Sequence, residues 1–294
     1  MLINEVVDYC NQRWEARQSF SEPLLVKRGR HVVGQFGEVM LESAFDAIRL
    51  TDAPAITVGH IARLQASLSG RGEKAGGASA RITDPAQIVD FDRLCRTTHM
   101  LNYLILRPEG GNILVLDVDP RHILAVPNGH GAYFADVIHR CGLDPSQVVL
   151  STATGVWSRS AESALRLARG LANYRSRGYR VAVTVHEFPL SKLSLNFLFR
   201  VTPDYVRLRY ASVDRSNRSV PSLIRRDLAH IRRLVLGFGG WILLEGVDDS
   251  EGCRLAHDAG IERLQGRFFD RRRKTARHLP PNVFTAEATH VQAI

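Results

Sequence analysis

From Ile88 onward, short apolar runs alternate with stretches whose apolar residues recur at helical spacing. The runs predict strands at Asn112–Val118, Gln147–Leu150, Arg180–Val185, Tyr205–Arg209 and Trp241–Leu244, with a last one near Glu262–Leu264. The amphipathic stretches predict helices over Ile88–Leu101, Gly131–Arg140, Ala161–Arg177, Ser222–Leu236 and Glu251–Ala259. Earlier in the chain a helix is predicted over Glu5–Arg17, followed by strands at Leu24–Val26 and His31–Leu41. After Leu41 the pattern fits neither class. The run from Ser69 to Ala80 is glycine-rich and short of residues that pack, so a mobile loop is expected there. It lacks the Gly-Lys-Ser/Thr ending of a phosphate loop. Apolar strands followed by amphipathic helices imply parallel strands buried on both faces. Their number fits a closed α/β barrel better than an open sheet. The expected organisation is an N-terminal helical extension over 1–22, one barrel over 23–270, and a basic tail over 271–294 that contains Arg271-Arg-Arg-Lys274 and Pro280-Pro281.

Composition narrows the class further. The chain has 294 residues, 45% of them hydrophobic, which is ample for a buried core. No apolar run approaches the roughly 18 residues of a membrane span. The first residues carry acids where a secretory signal carries bases, so a cytoplasmic location is expected. Cys10, Cys95, Cys141 and Cys253 form no Cys-x-x-Cys pair, which argues against structural zinc and a disulfide framework. Lys plus Arg number 39 against 30 Asp plus Glu, a net charge of +9. That excess is compatible with an acidic protein, an anionic ligand or nucleic acid, or with a basic surface of no special purpose. The arginine-rich segment from Arg225 to Arg233 reads better as a solvated outer helix than as a nucleic-acid grip. No stacking platform or recognition helix accompanies it.

Barrel chemistry gathers at the C-terminal ends of strands. Those ends offer Asp117, Ser151, His186, Glu187, Arg207, Arg209, Glu245 and Gln265, and Glu38 is expected to join them from the second strand. Arg207 and Arg209 admit two readings. They bind an anion, or they neutralise Glu38, Asp117, Glu187 and Glu245. His186 reads as an ordinary histidine at a strand end rather than a new metal ligand, and His257-Asp258 stands alone on a helix.

The segments Leu243-Leu-Glu-Gly-Val-Asp-Asp-Ser250 and Leu264-Gln-Gly-Arg-Phe-Phe269 resemble the closing motifs of the EAL family, barrel enzymes that hydrolyse the bacterial second messenger cyclic di-GMP. The resemblance spans roughly Leu24 to Phe269 and implies a modified TIM barrel. It maps the signature acid onto Glu38, in Glu38-Val39-Met40, and the next phosphate-binding arginine onto Glu42. The family's asparagine ligand falls on Asp117, its following glutamate on Ser151, and its Asp-Asp-Phe-Gly on His186-Glu187-Phe188-Pro189. The catalytic lysine falls on Arg207 and its partner aspartate on Arg209, while Glu245 and Gln265 match in place. Glu38, Asp117 and Glu245 would then be vestigial metal positions. Glu42, Ser151, His186, Glu187, Arg207 and Arg209 would be the degenerate ones.

This resemblance implies a protein that has lost hydrolysis. An arginine cannot shuttle a proton at neutral pH, and two fixed cations repel a divalent pair. No cofactor is expected, with magnesium held weakly at most. The first expectation is an inactive signalling protein that regulates through a protein partner, an acidic one given the basic faces. The second is a cyclic di-GMP receptor that binds through Arg207, Arg209 and Gln265 without cutting. The third is a phosphodiesterase with altered metal use. Nucleic acid ranks last and a membrane partner is not expected. A homodimer is expected by analogy, although Pro189 and Lys192 alter the loop that supports pairing.

Overall fold

The computed structural model describes residues 3–16, 24–68, 71–106, 113–155, 160–210 and 221–269. Eleven strands form one sheet: β1 (Leu25–Arg28), β2 (His31–Phe36), β3 (Val39–Leu50), β4 (Thr57–Leu68), β5 (Arg71–Lys74), β6 (Ile113–Asp117), β7 (Val148–Ala153), β8 (Arg180–Val185), β9 (Tyr205–Arg209), β10 (Trp241–Glu245) and β11 (Arg263–Gln265). Eight of them, β3, β4 and β6 to β11, close into a barrel, because β3 pairs with β11 on one side and β4 on the other. Seven of the eight run parallel, and β3 is antiparallel to both neighbours.

The expected α/β barrel is therefore present, with one antiparallel strand in it. Three further readings are corrected. The region after Leu41 that fitted no pattern forms the two longest strands, β3 and β4. The glycine-rich run expected to be a loop holds β5 and a short helix, α2 (Ala75–Ala80). The single strand expected over His31–Leu41 is instead a hairpin, broken by a turn at Gly37-Glu38 where Gly37 has φ of 57°. Strands β3 and β4 outrun the ring at its C-terminal end. Pairs from Val39–Leu68 to Ser43–Leu64 lie beyond the level where β4 contacts β6, and β1, β2 and β5 flank them there.

The helices pack outside the ring: α3 (Pro85–Leu106), α4 (Pro120–Ala125), α5 (Ala132–Arg140), α6 (Ala161–Arg175), α7 (Lys192–Val201), α8 (Pro221–Gly237) and α9 (Ser250–Asp258). Several start on a capping side chain just after a strand. Asp119 accepts from the Arg121 amide, Ser160 from Ser163, Ser191 from Ser194 and Asp249 from Gly252. The N-terminal helix α1 (Ile3–Glu15) is fixed to the outside of the barrel. It buries Val6, Val7, Cys10 and Trp14, and the Trp14 ring lies 5.7 Å from Tyr133 of α5. Asn11 exchanges two hydrogen bonds with the Leu25 backbone, which ties the helix to β1. No described helix is long and apolar enough to cross a membrane. The tail expected over 271–294 lies outside the described residues.

The barrel interior follows from strand periodicity, since alternate residues face inward. Ile48, Ile61, Val115, Val149, Ala182, Tyr205 and Leu243 make a buried apolar plug. Two residues further toward the mouth, the same faces carry polar side chains.

Candidate functional site

One inward position per barrel strand forms a polar layer on top of the plug. These are Asp46 on β3, Arg63 on β4, Asp117 on β6, Ser151 on β7, Thr184 on β8, Arg207 on β9, Glu245 on β10 and Gln265 on β11. Arg207 is at its centre and only 2% exposed. Its guanidinium donates to Glu245 through Nε, and to Asp117 and the Ser151 hydroxyl (2.7 Å) through Nη1. Arg63 enters from the opposite side of the ring, donating to Glu245 at 2.8 Å and to Asp46 at 2.9 Å. Gln265 donates to the same Asp46 oxygen at 3.2 Å, and its carbonyl accepts from the Gly246 amide. Ser151 and Thr184 complete the chain at 3.1 Å. Each of the eight residues is thus bonded to another member of the layer.

The electrostatics follow from burial. Burial alone would lower the Arg207 pKa, but Asp117 and Glu245 outweigh it and raise it. Burial would raise the Glu245 carboxyl, yet Arg207 and Arg63 hold it below the usual carboxylate range. For Arg63, burial again works against the charge, and Glu245 and Asp46 reverse the effect. All three are charged at neutral pH. Asp117 sits at the wet edge, its side chain 57% exposed.

A second cluster fixes the backbone just past Asp117. Buried Asp92 on α3 accepts from the Asp119 amide at 2.8 Å and pairs with Arg96 and His122. Burial would raise its pKa, but Arg96 and His122 bring it down to about 2. Arg121 grips Asp119 and also donates to the carbonyls of Ser79 and Ile82, which fastens α2 beside the mouth.

Of the positions expected from sequence, Asp117, Ser151, Arg207, Glu245 and Gln265 meet in the polar layer. Arg209 is on the same face of β9 one step above Arg207 and is exposed. His186 follows β8 beside it. Its pKa is lowered by burial first and then by Arg209 and Arg207. Glu187 does not join the network: its carboxylate accepts from Ser191 and from Ser194 (2.6 Å) at the start of α7. Of the two readings for the arginines, Arg207 is engaged by Asp117 and Glu245, and neither Glu38 nor Glu187 takes part.

Glu38 is a correction. It occupies the turn before Val39, and Val39 pairs with Leu68, whereas Arg63 of the polar layer pairs opposite Ala44. Five residues of strand separate those levels, roughly 16 Å at about 3.3 Å per residue. Glu38 therefore cannot share an ion with Asp117 and Glu245. Glu42 also lies on the part of β3 beyond the ring, 3.6 Å from His31. Sequence reasoning missed Arg63, Asp46 and Thr184. The available signal was inward parity: Arg63 stands two residues beyond the apolar Ile61, as Arg207 stands two beyond Tyr205. Outside the mouth, Arg232 of α8 pairs with Glu262 at 2.8 Å, and His257 and Asp258 are exposed on α9. Among the described residues, no three His, Cys, Asp or Glu side chains come together as they would around a metal ion.

No protein-family model matches the sequence, and no curated protein is detectably similar. Solved structures do match. A standalone versatile EAL protein from Vibrio cholerae, in its cyclic di-GMP-bound form, aligns with a TM-score of 0.64 at 18% identity, over 77% of this chain and 89% of that one. The Xanthomonas citri FimX EAL domain in complex with cyclic di-GMP gives 0.62 at 14% identity, over 90% and 92%. The Klebsiella pneumoniae protein BlrP1 with manganese and cyclic di-GMP gives 0.62 at 19% identity, over 77% of this chain and 54% of that one. A structure of BlrP1 with FMN and cyclic di-GMP but no metal ions gives 0.56 at 20% identity, over 77% and 51%. The chain thus spans about half the length of the Klebsiella protein. At these identities the likeness is one of architecture, and this chain has the barrel fold of the EAL-domain proteins.

Proposed function

We propose that this protein is a catalytically inactive EAL-fold signalling protein that acts through contact with a protein partner. One observation carries the reading: Arg207 and Arg63 grip Asp117, Glu245 and Asp46, the acids that converge on the mouth. The structurally similar Klebsiella protein is a complex with manganese and cyclic di-GMP, but the donor set here does not fit such an ion. A divalent ion needs several unshared hard oxygens. Here the oxygens of buried Glu245 are both committed to guanidiniums, and those cations repel a second positive charge. Arg207, fully buried and paired, does not release a proton near neutrality.

The direct test is incubation with cyclic di-GMP and magnesium or manganese, followed by analysis for the linear dinucleotide. No product is expected; turnover that is lost on Arg207→Ala or Glu245→Gln would overturn the reading. Capture from a bacterial lysate, with and without the nucleotide, tests the partner. The net charge of +9 favours an acidic protein. Failure to retain any specific protein under both conditions counts against regulation by contact.

A second reading, a cyclic di-GMP receptor, is favoured by a specific observation. The Klebsiella fold holds the nucleotide with no metal ions, and Arg209 here presents an exposed cation at the mouth. Calorimetric titration at low salt separates the two: no heat at high micromolar nucleotide removes the receptor reading.

A further inference from the structure

Three carboxylates of the polar layer are linked in a chain by the two guanidiniums between them. Glu245 gives one oxygen to Arg207 and the other to Arg63, and Asp117 and Asp46 close the two ends. Two guanidiniums carry the charge of one divalent ion. Three carboxylates with two arginines sum to −1, and three carboxylates with one divalent ion would also sum to −1. We propose that Arg63 and Arg207 together serve as resident cations, doing for this mouth the charge-balancing and cross-linking work of a metal, and so keep it folded without metal and closed to it. The inference rests on the functional reading above and adds a role for Arg63, a position outside the motifs that carry the family resemblance.

Geometry supports a joint role. The arginines come from β4 and β9, which are separated around the ring, and among the described residues Glu245 is the only acid that both touch. Loss of one arginine leaves Glu245 with a remaining cation. Loss of both leaves a 6%-exposed carboxylate with neither. Buried carboxylates without a partner must find one or destabilise the fold. Asp46, Asp117, Glu245 and the Ser151 hydroxyl are hard oxygen donors of the kind that oxygen-seeking cations take. With the arginines in place these acids do not come together around an ion; with both guanidiniums gone, the donors are free to close on a metal.

The test compares the wild type with Arg63→Gln, Arg207→Gln and the double variant. The readouts are melting midpoint in EDTA and in millimolar manganese, and bound manganese by paramagnetic resonance. The wild type is expected to melt at the same temperature in both buffers. The double variant is expected to melt lower in EDTA, to recover with manganese, and to bind one ion at least about tenfold more tightly than either single variant. A double variant that folds only when refolded with manganese gives the same support. A wild type destabilised by EDTA, a wild type that binds manganese as tightly as the double variant, or a folded double variant that ignores the ion overturns the proposal. If the double variant folds in neither buffer, Arg63→Gln decides, since Arg207 still secures Asp117. Measurable manganese binding that the wild type lacks supports the proposal, and no difference from the wild type overturns it. An inert wild type with a metal-blind double variant would sink this inference alone and leave the functional reading in place.

Discussion

Arg207→Met removes the centre of the mouth network while keeping an unbranched side chain over the apolar plug. Breaking a buried ion pair by deleting one partner costs about 3–5 kcal/mol. The structure places this case near the lower end. Glu245 keeps Arg63 at 2.8 Å, and Asp117, 57% exposed, returns to water at little cost. Taking about 3 kcal/mol, and roughly 2–4 °C per kcal/mol for a domain of this size, the midpoint should fall by about 6–12 °C. Urea and thermal unfolding followed by circular dichroism measure it, provided the two transitions coincide. Glu245→Met added to Arg207→Met should cost less than the sum of the two single changes, because the second change removes a charge that the first had left under-paired. A single variant within about 0.5 kcal/mol of the wild type, or strict additivity in the double, would refute the claim that the network is energetically coupled.

Other expectations follow from separate parts of the molecule. Gly266→Ala should destabilise by about 1–3 kcal/mol or more, because a Cβ there would lie 1.9 Å from the Val247 carbonyl oxygen; an unchanged midpoint contradicts this. Trp14→Ala should cost about 3 kcal/mol and speed amide exchange across Ile3–Glu15 before the barrel strands, and unaltered exchange would show that α1 does not depend on that anchor. His99, bonded to Ser43 at 2.8 Å, has its pKa lowered by burial to about 4. The unfolded chain therefore binds a proton that the folded one refuses, so this contribution is complete above about pH 6.5 and is lost as pH falls toward about 4. His99→Gln should flatten stability over that window, and an unchanged slope would rule the histidine out as its source. The Glu245 carboxyl, held low by Arg207 and Arg63, contributes above the unfolded value of about 4.3 and loses that contribution as pH falls through its lower folded value. Glu245→Gln should remove this acid sensitivity.

Local pattern was enough for the parallel half of the barrel. Strands such as Ile113–Asp117, Val148–Ala153 and Arg180–Val185 are covered on both faces, so most of their residues are apolar and the runs declare themselves. The polar ends of the parallel strands also mark Asp117, Ser151, Arg207, Glu245 and Gln265 in the sequence itself. The pattern failed at β3 and β4 because only part of each lies in the ring. Their remaining residues stand above the mouth, where faces are half-covered and apolar alternation is diluted. That dilution hid Asp46 and Arg63, and it let Glu38 be matched by its neighbours in sequence rather than by its height on the strand.

Chain order, then, determined that this protein is an α/β barrel and which side chains end its central strands, because burial on two faces is written into each strand separately. Which acid meets which arginine was decided only by closure of the ring. Asp46 and Gln265 are 219 positions apart, and Arg63 and Glu245 are 182 apart, yet each pair shares a hydrogen bond. No local rule encodes such pairings. They arise when antiparallel β3 joins β11 to β4 and turns eight separate inward positions into one layer.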